Sequence, residues 1–412
     1  MFVVTTGLKG QSRRSGLGRR AGRGGGRWAR TRECAALCPF RCVWGGEGVC
    51  GRRSTSVMLI PGALDVNWWR HVQVEWRSGE LARGNFGAVY VGEHRLSGEP
   101  LVVKAAKAAA DGLAQSLLEV ERHVNWKLQD RSEELQPRRW AMFLGSARVS
   151  SLGAPPELLD AYAPTVLVWR KEGSGETLED YLSSRPCSAL SAAIGASDAA
   201  AHGASLCRSS FRIVVGELLH ALTQLQAAGI MHRDVKPRNV LVVPHAEDGA
   251  PLKLIDFGSA CEWGPFFKRG YRADHATCDP TYAAPEMFLS PFHPDRFDVF
   301  SVGLIGLRVL LPALRSEMRL RECVTQLRFK YQWDVTRWAC DVAARADQQP
   351  NARSASALGV DPLPLQLSSL AQDAALLRVL SAMLRERPRY RASAAQALQL
   401  YDFSNLPSTE TA

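Results

Sequence analysis

From Val72 the chain takes up an alternation of apolar and polar positions around a Gly-bounded turn, and strand-like stretches follow at Ala88–Glu93 and Leu101–Ala105, on either side of Leu96-Ser97-Gly98. Successive strand side chains point to opposite faces, so these segments predict a small antiparallel sheet. The period lengthens to that of a helix over Leu113–Leu128, and two more strand-like segments follow at Met142–Val149 and Pro164–Arg170. From about Phe211 onward the chain reads mainly as helix, opening with an amphipathic stretch at Phe211–Ala228. A β-rich region with one helix, followed by a larger helical region, predicts an α+β fold. Val299–Leu314 is the most apolar run, but Arg308 interrupts it and it falls short of a membrane span. It predicts a buried core helix. No transmembrane segment is evident, peripheral attachment to a membrane stays open, and so does the oligomeric state.

Composition changes the picture mainly at the N-terminus. The 412 residues carry a formal charge of +10, and residues 1–55 hold all of it, with 12 Lys and Arg against 2 Asp and Glu. The remainder is balanced, which argues against a basic nucleic-acid groove on the folded part. Residues 1–56 are rich in Arg, Gly, Ser and Ala and show neither period, which predicts a disordered head. Such an acid-poor, Arg-rich stretch without an apolar core is similar to an organellar transit peptide, and an ordinary basic tail fits it equally. Residues 57–75 read as a linker, 76–170 and 171–403 as the two parts of the folded body, and 404–412 as a tail. Within the body, the Ala/Ser-rich stretch 185–210 and the Gln/Ser/Pro-containing stretch 344–363 read as inserted loops without chemistry. Ten cysteines are too sparse for a disulfide scaffold, and those past residue 56 stand singly. Cys34, Cys38, Cys42 and Cys50 lie close together in the head, without the paired spacing and histidines of a zinc site.

The chemistry is carried by five short segments in a fixed order. Leu81-Ala82-Arg-Gly84-Asn-Phe86-Gly87-Ala-Val89 sets glycines in a strand-turn-strand context, where missing Cβ atoms let backbone N–H groups approach phosphates; alone, a simple hairpin turn is an equal reading. Lys104 ends a predicted strand, and an ammonium there can hold nucleotide phosphates if a carboxylate positions it. Glu121, seventeen residues on and beside the core-facing Val124, is the candidate carboxylate, with Glu119 in reserve. The decisive segment is Ile230-Met-His232-Arg233-Asp234-Val-Lys236-Pro-Arg-Asn239, directly after the amphipathic helix. Asp234 can accept a hydrogen bond from an attacking hydroxyl, Lys236 can neutralise a moving phosphoryl group, and Asn239 can ligate Mg²⁺ from the same loop. Leu254-Ile-Asp256-Phe257-Gly258 then ends an apolar strand with a carboxylate able to bridge Mg²⁺ to phosphates. Farther on, Ala284-Pro285-Glu286, Asp298 and Arg391 read as structural, with Arg391 as the buried partner of Glu286.

Together these segments resemble the eukaryotic-type protein kinase superfamily across residues 76–403. The resemblance implies a two-lobed protein kinase fold: a small antiparallel sheet lobe with one helix, a larger helical lobe, and ATP between them. It also implies a protein substrate, Mg²⁺ and transfer of the γ-phosphoryl group to serine or threonine, the preference that Lys236 marks two residues after Asp234. Nucleotide contacts would come from Ala82, Gly84, Gly87, Val89, Lys104 and Trp169, and metal contacts from Asn239 and Asp256. A closer resemblance lies in Leu167-Val-Trp169-Arg-Lys-Glu-Gly, Asp279-Pro-Thr-Tyr-Ala-Ala-Pro-Glu286, the run from Pro294 to Ile305, Pro312-Ala-Leu-Arg and Tyr331-Gln-Trp-Asp-Val-Thr-Arg-Trp. These are similar to the chloroplast thylakoid kinases of state transitions. That family implies light-harvesting or photosystem substrates and a chloroplast location, against a cytoplasmic alternative.

Three departures qualify the resemblance. Asp279 stands where most serine/threonine kinases carry a threonine, Ala82 replaces the first phosphate-loop glycine, and no membrane span or paired cysteines precede the folded body. The first two favour the alternative of a pseudokinase that binds ATP or acts as a scaffold; the retained Lys104, Glu121, Asp234, Asn239 and Asp256 favour an enzyme. Arg233 beside Asp234 predicts that a phosphate on the activation segment orders it, with Thr277 the acceptor.

Overall fold

The computed structural model describes residues 66–108, 112–196, 203–263, 278–347 and 362–403. The head 1–56, the tail 404–412, Thr277 and most of the stretch 344–363 lie outside the described residues.

Helix α1 (Val66–Trp69) and strand β1 (Val72–Val74) come first, inside the segment expected to be a linker at 57–75. Burial is the reason for this correction. Val72, Val74 and Trp76 send alternate side chains into the core, and Trp68 stacks flat on His94 with ring centres 4.6 Å apart. Strands β2 (Glu80–Arg83), β3 (Gly87–His94) and β4 (Glu99–Lys107), helix α2 (Leu113–Asp130), strand β5 (Phe143–Arg148), helix α3 (Pro156–Ala161) and strand β6 (Tyr162–Arg170) complete the smaller lobe. The sheet runs β1-β3-β4-β6-β5 with β2 on β3, and its pairs are antiparallel. One face buries Val103, Ala105, Val166 and Val168; the other receives α2 through Leu118 against Ala106, Phe143 and Leu167. Gly87 is required where β3 meets β4, because a Cβ there would lie 2.3 Å from the Ala105 carbonyl oxygen.

The larger lobe opens with α4 (Leu178–Ser184), whose Thr177 cap and Asp180 bond each other's backbone N–H groups. Next come α5 (Cys187–Ala193) and α6 (Ala204–Ala227), which correct the expectation of a loop over 185–210. The buried positions include Leu190, Ile194, Ser191, Cys207 and Ser210, and the Ser191 and Ser210 hydroxyls meet at 2.6 Å. A close contact between helices is made here with small side chains, which leave a weak hydrophobic period in the sequence.

Short strands β7 (Ile230–Met231), β8 (Val240–Val242), β9 (Leu252–Leu254) and β10 (Cys261–Glu262) form two antiparallel pairs, β8 with β9 and β10 with β7. Helices α7 (Phe297–Leu310), α8 (Glu317–Phe329), α9 (Val335–Asp347), α10 (Leu363–Ala371), α11 (Ala374–Met383) and α12 (Ala394–Leu400) follow. Every residue of α7 is buried, as its apolar run predicts. It packs against α6 so closely that a Cβ on Gly306 would sit 2.8 Å from the Phe211 ring. Among the described residues no helix is long and apolar enough to cross a membrane.

Candidate functional site

Lys104 lies in the middle of β4, in register with Val89 on β3 and Leu167 on β6. Its Nζ donates to Glu121 Oε2 at 2.7 Å and to Asp256 Oδ1 at 2.8 Å, which joins the sheet, α2 and the end of β9. Glu121 is on the buried face of α2 with Leu118, Val124 and Asn125, while Glu119 points away and accepts from Arg122 Nε at 2.9 Å. The helix period therefore selects Glu121. Glu121 Oε1 also accepts the Phe257 N–H at 3.3 Å, so one buried carboxylate ties α2 to both sides of the cleft.

Electrostatics follow from this enclosure. Burial alone would lower the Lys104 ammonium pKa, but the Asp256 and Glu121 charges outweigh it and hold the group protonated. Burial pushes the Glu121 carboxyl up against the pull of Lys104. The Lys104 charge holds Asp256 down at about 2, so that carboxylate is ionised. Asp256 itself sits at φ 64°, a left-handed conformation that costs a non-glycine residue energy, and its Oδ1 accepts the Gly258 N–H at 3.4 Å.

The second half of the site is a loop clamped from below. His232 and Arg233 donate their backbone N–H groups to the two oxygens of Asp298, each at 2.8 Å. Asp298 is buried in the first turn of α7, so the most apolar helix of the chain fixes this loop. Arg233 is held at φ 66° and the His232 ring lies 5.0 Å from the Phe257 ring. Held this way, Asp234 projects a carboxylate whose Oδ2 accepts from Lys236 Nζ at 2.7 Å and Asn239 Nδ2 at 3.0 Å. Its Oδ1 accepts the Asp279 N–H at 3.0 Å. Burial pushes the Asp234 carboxyl up to about 6, with Lys236 opposing the rise. Asp279 thus contributes its backbone here, and its side chain accepts from the Thr281 N–H at 2.9 Å.

The remaining expected residues surround these two clusters. Gly84 donates to the Gly87 carbonyl at 2.9 Å across the β2–β3 turn, and Ala82 is exposed on β2 opposite Val89. Trp169 is two residues from Leu167 on β6, which sets it on the same sheet face as Lys104. Its indole N–H donates to Asn125 Oδ1 at 3.3 Å, and its ring packs on Phe143, so it closes the inner end of that face.

Among the described residues no three His, Cys, Asp or Glu side chains gather to hold a metal by themselves. The donors present are the Asp256 carboxylate and the Asn239 amide oxygen. Hard oxygen donors of that number suit Mg²⁺ shared with phosphate oxygens.

Sequence reasoning missed a further buried network. Arg308 of α7 donates through Nη1 to Glu179 Oε2 at 2.7 Å and to the Tyr282 hydroxyl at 2.6 Å, and through Nη2 to the Arg315 carbonyl. It joins α4 to the segment that follows Asp279. The signal was present as a lone arginine inside an otherwise apolar run, a residue type that is seldom fully buried without a partner. Arg391 does meet Glu286, through two bonds of 2.8 Å.

Comparison with known proteins agrees with this architecture. The chain is 31% identical over 204 residues to the chloroplastic serine/threonine-protein kinase STN7 of Arabidopsis thaliana, covering 44% of this chain and 35% of that protein. It is 25% identical over 315 residues to the chloroplastic serine/threonine-protein kinase STN8 of the same plant, covering 65% of this chain and 60% of that protein. It therefore spans less than two thirds of the length of either relative. The crystal structure of an Stt7 homolog from Micromonas algae soaked with ATP superposes with a TM-score of 0.67 at 23% identity, covering 88% of this chain and all of that one. At that identity the likeness speaks for the two-lobed fold. The protein kinase domain profile matches residues 193–401. That stretch is half of the chain and contains the Asp234 loop, Asp256, Glu286 and Arg391, so the chain belongs to the protein kinase family.

Proposed function

We propose that this chain is an active protein kinase that transfers the γ-phosphoryl group of ATP to serine or threonine hydroxyls of a protein. The observation that carries the reading is the pair of adjoining clusters, Lys104 with Glu121 and Asp256, and Asp234 with Lys236 and Asn239, joined where the Ile255 N–H donates to the Asn239 carbonyl at 3.0 Å. In-line phosphoryl transfer needs positioning and charge stabilisation more than covalent chemistry, and these are the residue types that supply both.

In this reading Lys104, oriented by Glu121, holds the α and β phosphates, while the turn of Ala82, Gly84 and Gly87 covers them and Val89 and Trp169 wall the base side. Asn239 and Asp256 would hold Mg²⁺, which when bound would offset the negative charge of the phosphates. Asp234 accepts the hydrogen bond of the incoming hydroxyl and aims its oxygen. The carboxylate must be ionised to do so, and Lys236 beside it favours that form. Lys236 keeps part of its side chain exposed beside Asp234, so in this reading it can turn to the moving phosphoryl group.

The names of the Arabidopsis relatives place those proteins in the chloroplast. Carried to this chain, with its basic head, they support a chloroplast location, and the resemblance to state-transition kinases implies photosynthetic protein substrates. Transfer of radiolabelled γ-phosphate to thylakoid proteins and to a generic basic protein, by wild type and Asp234→Asn, tests both levels. Preferential labelling of light-harvesting bands by wild type alone is the expected result. Equal labelling of all proteins would remove the substrate assignment, and no labelling would leave a nucleotide-binding scaffold.

A further inference from the structure

Two cysteines that stand twenty residues apart in the sequence meet in the fold. Cys187 opens α5 and Cys207 lies in the first turn of α6, and their Sγ atoms are 3.8 Å apart. A disulfide needs ~2.05 Å between sulfurs, and the remaining gap is within the reach of side-chain rotation. Both thiols are free, with Cys207 buried and Cys187 only partly covered. The pair stands in the segment expected to be a loop without chemistry.

The two positions are not equivalent. The Cys207 S–H donates to Cys187 Sγ, and that bond, with the nearby Arg315 charge, lowers the Cys187 thiol from its ordinary value against its partial burial. Cys207 is pushed up by the same bond and by burial. Arg315 is anchored beside the pair, since its Nη1 donates to the Arg185 carbonyl at 2.9 Å. By contrast, burial alone pushes Cys323 up to about 12, and burial with the Asp298 and Glu262 charges pushes Cys261 as far against the pull of Arg233, which is the condition of inert structural thiols.

We propose that Cys187 and Cys207 form a reversible dithiol–disulfide site, separate from the phosphotransfer cleft, with Cys187 as the attacking thiol and Cys207 as the resolving one. Its co-reactant is an accessible disulfide of the glutathione or protein type. Cys187 thiolate attacks one sulfur of that disulfide, forming a mixed disulfide and expelling the other sulfur as a thiolate. Cys207 then loses its proton to the expelled thiolate and attacks the Cys187 sulfur, releasing the second thiolate. Two protein thiols are oxidised to one disulfide, and the co-reactant is reduced to two thiols. The product joins α5 to α6 across the intervening segment.

The test uses the full chain and oxidised glutathione, followed by acid quench, alkylation of remaining thiols and peptide mass mapping. The exposed Cys340 serves as internal reference. Wild type is expected to give a peptide linking Cys187 to Cys207, removed by dithiothreitol, with little glutathione left on Cys187. Cys207→Ser and Cys207→Ala should each trap glutathione on Cys187 at least about tenfold above wild type, while Cys187→Ser should leave Cys207 unmodified. A melting curve for each variant identifies any that fails to fold. Stable glutathione on wild-type Cys187 with no linked peptide would overturn the proposal. So would linkage of Cys187 to a cysteine of the head, or reaction of Cys187 no faster than Cys340.

Discussion

Two groups of buried charge hold this molecule together, and they are built differently. Around Lys104 the side chains keep a wet side: Lys104 is 25% exposed and Asp256 44%. Around Arg308 there is none, since its side chain is fully enclosed and that of its partner Glu179 is 12% exposed. An enclosed ion pair has one arrangement, because any other leaves a charge uncompensated in a medium that solvates it poorly. A charge at the edge of a cleft can trade a protein partner for a ligand's phosphate at small cost. The first construction suits chemistry and the second suits alignment of the elements that flank it.

The comparison is tested most severely at Asp234. Asp234→Asn should lower the phosphotransfer rate by roughly 10²- to 10⁴-fold while the melting temperature stays close to wild type. A melting temperature that fell along with activity would place Asp234 among the alignment residues. Arg308→Met should do the reverse, costing about 3–5 kcal/mol in urea unfolding because Glu179 is left buried and unpaired. The double variant Arg308→Met with Glu179→Leu should recover much of that loss. If the single variant were as stable as wild type, the enclosed network would have no structural role.

A smaller effect separates the clusters by pH. Asp234 has its carboxyl raised to about 6 by burial, and the ionised form is the one that can accept the substrate hydroxyl. Activity is therefore present above that value and lost as pH falls through it, by about tenfold per unit in kcat/KM of the free enzyme. Lys236→Gln removes the cation that opposes the rise and should move the acid limb to higher pH. An acid limb that stayed in place would mean that another group titrates. The smallest expected change in stability is Tyr282→Phe, which removes one hydroxyl from the Arg308 guanidinium and should cost about 1.5–3 kcal/mol with kcat unchanged.

Much of the cleft was legible before the fold was known, for a physical reason. Asp234, Lys236 and Asn239 share one loop, so their spacing in sequence nearly fixes their spacing in space, and the order of residue types carries the chemistry. Glu121 could be chosen over Glu119 because helical period decides which carboxylate faces the sheet. The enclosed network was illegible because Glu179, Tyr282 and the Arg308–Arg315 stretch come from three separate parts of the chain, and no local pattern relates them. Two local readings also failed. The segment 57–75 hid α1 and β1, where a short alternation precedes the main sheet. The stretch 185–210 hid α5 and the start of α6, where small residues pack two helices together with little apolar signal.

The sequence by itself determined the class of fold, the spacing of Asp234, Lys236 and Asn239 within one loop and the residue types available at the cleft, since each rests on local period or on spacing within one segment. Tertiary structure alone decided that Asp298 would clamp the loop through two backbone N–H groups, that Arg308 would find Glu179, and that Cys187 would touch Cys207. Those pairings bring together residues 20 to 129 positions apart, and which distant side chains meet depends on how the helices pack around α7 and α6.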